Sequence, residues 1–161
     1  MPSNHPHSAG FAYAAAIWSF AFALLSLAWA LGSDVGANTL ARSIEDQARE
    51  RSGSFVTLMW VTVFLKVLAG AIALSLVPRW GARIPRWLRL TAAWTAAVIL
   101  TLYGVAGIVE KVLWKTGVRT VPASFGADRV DWYLFFWDPF WLLGGILFAF
   151  AAWTFQRARS T

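Results

Sequence analysis

The sequence predicts an all-α fold: a polytopic membrane protein built as a four-transmembrane-helix bundle, with a short amphipathic helix in the first outer loop. Three observations predict it. Charged residues make up only 14% of the chain and hydrophobic ones 58%, whereas soluble domains carry about 25% charged residues. The apolar residues gather into four runs, near 11–32, 54–77, 90–113 and 131–154, each long enough for a spanning helix of about 20 residues. The links between the runs differ in charge in the way a membrane topology requires. The runs fill more than half of the 161 residues, so residues 1–161 read as one membrane domain.

The first run, "FAYAAAIWSFAFALLSLAWAL", has Tyr13 as its sole ionisable side chain. "AWA" at 28–30 resembles a signal-peptide cleavage site, but "MPSNHPHSAG" before the run has no Lys or Arg and the run is long, so a retained span is expected. His5 and His7 read as tail residues, too few for a metal site.

The first link, 33–53, holds three Arg against four acids. Within it, "NTLARSIEDQARER" at 38–51 places Leu40, Ala41, Ile44 and Ala48 on one helical face, with Asn38 as a cap and Glu45 and Arg49 spaced i,i+4. The short amphipathic helix is expected to lie on the outer surface or to fold over the bundle mouth, as a connector resting on the interface rather than a functional lid. The second run carries Lys66 at its centre, on a face with Met59, Thr62, Val63, Ala69, Gly70 and Ala73; small, slightly polar faces of this kind pack closely in membranes.

The second link, "PRWGARIPRWLR", contains Arg79, Arg83, Arg86 and Arg89 and no acid, and the C-terminal tail adds Arg157 and Arg159. Basic short loops stay cytoplasmic, which places both termini in the cytoplasm of a multi-pass cell-membrane protein. The third link, 110–131, is mixed, with four bases against three acids. Trp80 and Trp87 flank the inner loop and Trp114 and Trp132 the outer one, where indole rings favour the interface. Trp18, Trp60, Trp94, Trp137 and Trp141 fall deeper.

The third run ends in Glu110 and Lys111, and the fourth contains "FFWDPFWLLGG" at 135–145, with Asp138 and Pro139 inside its most apolar stretch. A charge at mid-bilayer costs about 2.5–3.5 kcal/mol on insertion scales, so Lys66, Glu110 and Asp138 are expected to face the bundle interior. At a rise of about 1.5 Å per residue, Lys66 lies about 18 Å and Asp138 about 12 Å below the outer ends of their helices, close enough for a Lys66–Asp138 ion pair. Helical spacing adds Tyr103, Gly107, Glu110 and Trp114 on one stripe, and Asp131, Phe135, Asp138, Trp141 and Gly145 on another. Pro139 removes the N–H that would bond the Phe135 carbonyl, which predicts a kinked fourth helix and a local widening of the bundle.

"WALG" at 29–32 and "WDPFWLLGGILF" at 137–148 resemble a family of small bacterial four-helix membrane proteins known only as a domain of unknown function. The resemblance implies the fold and no activity. It leads one to expect a His three residues before Trp29; this chain has Ser26 there, so a role for that His does not carry over.

The absence of cysteine excludes disulfides and thiolate chemistry. No nucleotide loop, H-E-x-x-H or G-x-S-x-G is present, and no cofactor, metal or nucleic-acid partner is expected; the net charge of +6 follows topology rather than a patch. Three function classes remain. One is a membrane-embedded enzyme with an outward-opening polar site inside the bundle, which binds or transforms a small lipophilic molecule by acid/base chemistry, an isomerisation or cyclisation. Asp138, Glu110 and Lys66 would be its catalytic groups, and Tyr103, Trp114, Trp137, Trp141 and Trp60 would line its substrate site. The second is a non-catalytic accessory or assembly subunit, paired with copies of itself or with another membrane protein, whose buried charges lock helix register. The third, a small-molecule or ion-coupled transporter, is opposed by the lack of a carboxylate in the first run.

Overall fold

The computed structural model describes residues 6–158. His5 and Arg159 lie outside the described residues, and His7 falls in the first turn of the first helix. Four long helices coincide with the four apolar runs: α1 (Pro6–Ala30), α3 (Gly53–Ser75), α5 (Arg86–Lys115) and a fourth built from α6 (Val130–Trp132), a π-helical turn (Tyr133–Trp137) and α7 (Asp138–Arg157). Each is long and apolar enough to cross a membrane, and the described residues contain no strand. A two-turn helix, α2 (Arg42–Arg49), lies in the first link, and a single turn, α4 (Pro78–Gly81), opens the arginine-rich link.

Helix α1 is the inner helix because its sequence gives it a narrow face of small residues. Ala12, Ala15, Ala16, Ser19, Ala23, Ser26 and Ala30 recur at helical spacing and are all at most 5% exposed. In lipid, helices gain little from hiding apolar surface, so such faces decide who packs closely. α1 ends at "WALG" in a Schellman closure: Gly32 adopts φ 101°, Ser33 N donates to the Ala28 carbonyl, and Gly32 N to that of Trp29. The motif's glycine is therefore a helix stop.

The long helices form an open ring in the order α3–α1–α7–α5. α5 packs along α7 and α3 along α1, while α3 and α5 meet only sparsely. At the arginine-rich end this fourth side is tied by Arg89, whose guanidinium donates to the Ser75 carbonyl at 3.0 Å. Towards the other end α3 and α5 leave a seam.

The two mixed-charge links interlock at that other end. Arg42 N and Ser43 N, at the start of α2, donate to the carbonyls of Phe125 and Ser124 at 3.0 and 2.9 Å. Glu45, 7% exposed, accepts from Arg129 at 2.7 Å and from Arg49 at 2.8 Å. Leu40, Ile44 and Ala48 pack into the main core. The first link is thus a folded roof, not a connector resting on the surface. Asn38 does not cap it: α2 begins four residues later, with Ala41 at its N-cap.

Candidate functional site

The site starts from one backbone irregularity. Asp138 N donates to the Tyr133 carbonyl, five residues back, and Pro139 offers no N–H to restore the α-pattern. At "FFWDPFW", where the sequence leads one to expect a kink, the helix makes this π-turn. An inserted residue turns the helix before it by about 100° relative to the helix after it. Tyr133 and Asp138 therefore share a face, and the stripe drawn through Phe135 fails: Phe135 is 74% exposed on the lipid-facing side.

The Asp138 carboxylate, 2% exposed, sits where Gly107 of α5 leaves space; a Cβ on Gly107 would overlap it. Its Oδ2 lies 3.8 Å from Lys111 Nζ and receives no hydrogen bond. Lys111, itself 5% exposed, donates to Glu110 Oε2 at 2.8 Å. Its ammonium also lies 5.0 Å from the ring centre of Trp114 and 5.3 Å from those of Phe125 and Tyr133, within cation–π range. Asp138, Lys111 and Glu110 border a cavity of about 430 Å³ that also takes in Tyr103, Arg119 and Tyr133. Glu110 is nearly half exposed along its side chain, so it stands between Lys111 and the mouth.

The expected Lys66–Asp138 ion pair does not form. Asp138 is paired with Lys111, and Lys66 Nζ instead donates to Ser26 Oγ and lies 3.4 Å from the centre of the Phe22 ring. The two residues differ in direction: Lys66 faces α1, which stands between α3 and α7 in the ring. Lys66 borders a smaller cavity of about 190 Å³, with Ser26, Phe22, Trp137 and Trp141 in its wall and Leu40 and Ile44 of the roof above. Roof and wall are bonded together: Trp137 Nε1 donates to Thr39 Oγ1 at 3.1 Å, Ala41 N to the Tyr133 hydroxyl at 3.3 Å, and Trp29 Nε1 to the Val35 carbonyl at 2.8 Å.

Tyr103 and Tyr133 border both cavities. Tyr103 is 57% exposed on α5 with its ring 4.9 Å from that of Trp141. The aromatic wall between the cavities therefore reaches the seam, and the seam opens sideways. Of the expected lining residues, Tyr103, Trp137 and Trp141 are gathered here. Trp114 is set back, supporting Lys111 and meeting Phe125 edge-to-face at 4.7 Å between ring centres. Trp60 is 49% exposed and borders neither cavity.

A family model matches residues 19–148, from the middle of α1 to the middle of α7. The chain belongs to the family described as "Protein of unknown function (DUF3995)". Both motifs and every cavity residue named above lie within the matched part of this DUF3995 member. The chain matches no curated protein and no solved structure.

Four residues of this DUF3995 site are not evident as site residues from the sequence: Lys111, Ser26, Phe22 and Tyr133. Lys111 had a signal. It continues the α5 face of Ala93, Ala97 and Gly104, all buried, seven residues on from Gly104, whereas the stripe through Tyr103 and Trp114 runs one residue to the side. Ser26 had one as well, as the substituted position before "WALG". Phe22 and Tyr133 had none, because their roles arise from contacts between helices.

Proposed function

We propose that this protein binds a small lipophilic molecule that reaches the seam from within the bilayer, and transforms it by moving a proton through Asp138. One observation carries the reading: a buried carboxylate oxygen with no hydrogen bond, on the wall of a 430 Å³ cavity. A carboxylate that only locks helix register has its oxygens satisfied. Here Lys111, held between Glu110 and three rings, balances the charge, and the Asp138 carboxylate accepts a proton and returns it at another carbon. That is the chemistry of an isomerisation or cyclisation. Glu110, at the mouth, exchanges protons with water.

The test is deuterium uptake. Purified protein is incubated in D2O with a membrane lipid extract, and the extract is analysed by mass spectrometry. A compound that gains deuterium with the parent protein and not with Asp138→Asn identifies the substrate class. If no compound gains deuterium and the variant folds normally, the pair is structural and the assembly-subunit reading replaces this one.

We place the protein in the cell membrane with both termini cytoplasmic. Arg79, Arg83, Arg86, Arg89 and Arg157 share one end, while acids and bases mix at the other. The chain has no cysteine, so single cysteines report cleanly. A membrane-impermeant maleimide on intact cells is expected to label Val118→Cys and not Ala82→Cys; the reverse pattern inverts the topology.

A further inference from the structure

Lys66 is a half-buried charge midway along a membrane-spanning helix that the Asp138 chemistry does not use. The ion pairs among the described residues join Arg42, Arg49, Lys111, Lys115 and Arg129 to acids, and none includes Lys66. Its ammonium has three N–H donors. Ser26, fully buried, takes one of them. The face of Phe22 at 3.4 Å, with Trp141 at 5.7 Å, stabilises the positive charge without consuming a donor. The remaining donors belong to a cavity of about 190 Å³ whose wall contains no carboxylate. Thr62, on that wall, gives its hydroxyl proton to the Met59 carbonyl. The Tyr133 hydroxyl accepts from Ala41 N, so its own proton is free to be donated.

A cation kept charged by a ring and a hydroxyl, inside a membrane protein and without a counter-charge, is an incomplete electrostatic unit. One negative charge completes it. A carboxylate suits the donors: two oxygens facing two ammonium protons and a phenol. A phosphate dianion would leave one charge unbalanced among aromatic rings. We infer that the Lys66 cavity binds the carboxylate head of a lipophilic acid, held by Lys66 and Tyr133, with its apolar body passing Tyr103 into the seam. The inference rests on the reading above for the route of access, and not for the chemistry at Asp138.

The test titrates the full chain in non-ionic detergent with decanoate, decanol and decyltrimethylammonium, followed by Trp fluorescence and thermal stability. Decanoate is expected to bind about ten- to a hundredfold more tightly than decanol, the worth of charge-assisted hydrogen bonds, and the ammonium compound more weakly than either. Lys66→Met is expected to abolish the preference for decanoate and Tyr133→Phe to reduce it. Equal binding of decanoate and decanol by the parent protein overturns the inference, and that comparison needs no variant. A preference that survives in a folded Lys66→Met protein overturns it too. So does a borohydride-trapped adduct of decanal on Lys66 without any decanoate preference, which would make Lys66 a nucleophilic amine. A decanoate preference without deuterium uptake sinks the Asp138 reading alone; the converse sinks this one alone.

Discussion

Lys111→Met is expected to cost far more stability than Asp138→Asn, although the two residues form one pair. Lys111 is the cation that balances Asp138, which is 2% exposed. Removing it strands a buried carboxylate, and breaking such a pair from one side costs about 3–5 kcal/mol. Asp138→Asn strands nothing of the kind, because Lys111 keeps Glu110 at 2.8 Å and its three rings. The amide adds an unsatisfied donor, worth about 1–2 kcal/mol. Adding Asp138→Asn to Lys111→Met should therefore recover stability, a coupling measurable as a double-mutant cycle. Unfolding in detergent, monitored by the fluorescence of the 11 Trp, gives all four values. If Asp138→Asn proves the more damaging single change, Asp138 draws support from elsewhere and the charge-balance argument fails. The asymmetry also serves the functional test: Asp138→Asn is expected to fold, so its loss of deuterium uptake would report chemistry.

The pattern of spans was legible because it depends on each segment's composition, and the bilayer imposes length and polarity on each helix separately. That the fourth helix is disturbed near Asp138–Pro139 was legible for a similar local reason, since the pair cannot continue an α-ladder, but the π form of the turn was not. Pairing was not legible. Depth along a helix can be counted from sequence, and it put Lys66 and Asp138 within reach of each other. Direction around the bundle depends on which helices are neighbours, and the small-residue face of α1 settled that by placing α1 between α3 and α7. The π-turn then changed the phase of everything before it, so a stripe correct from Asp138 onward pointed Phe135 the wrong way. The roof shows the same division. Its amphipathic face and its Glu45–Arg49 pair were visible locally, but Arg129, which holds Glu45 from 84 residues away, was not.

Gly104→Ala, the addition of one methyl group, is expected to destabilise the bundle by about 1–3 kcal/mol. The added Cβ would fall 2.6 Å from Leu142 N and 2.9 Å from the Asp138 carbonyl oxygen. Both are backbone atoms of α7, so no side chain can rotate away and the two helices must separate. Gly10→Ala supplies the contrast. It lies within α1 with nothing inside 4 Å of its added Cβ, so helix propensity alone acts and the change is neutral or stabilising by up to about 1 kcal/mol. The same substitution thus takes opposite signs at two helical glycines, and unfolding in detergent resolves them. If Gly104→Ala is silent, α5 and α7 do not approach this closely. Its consequence also reaches the site. The approach at Gly104 is what lets Gly107, one turn further along α5, seat the Asp138 carboxylate against that helix and bring Lys111 alongside. A Gly104→Ala protein that still folds should therefore hold Asp138 further from Lys111. Its Lys111→Met and Asp138→Asn effects should then become more nearly additive than in the parent, which a second double-mutant cycle in that background would measure.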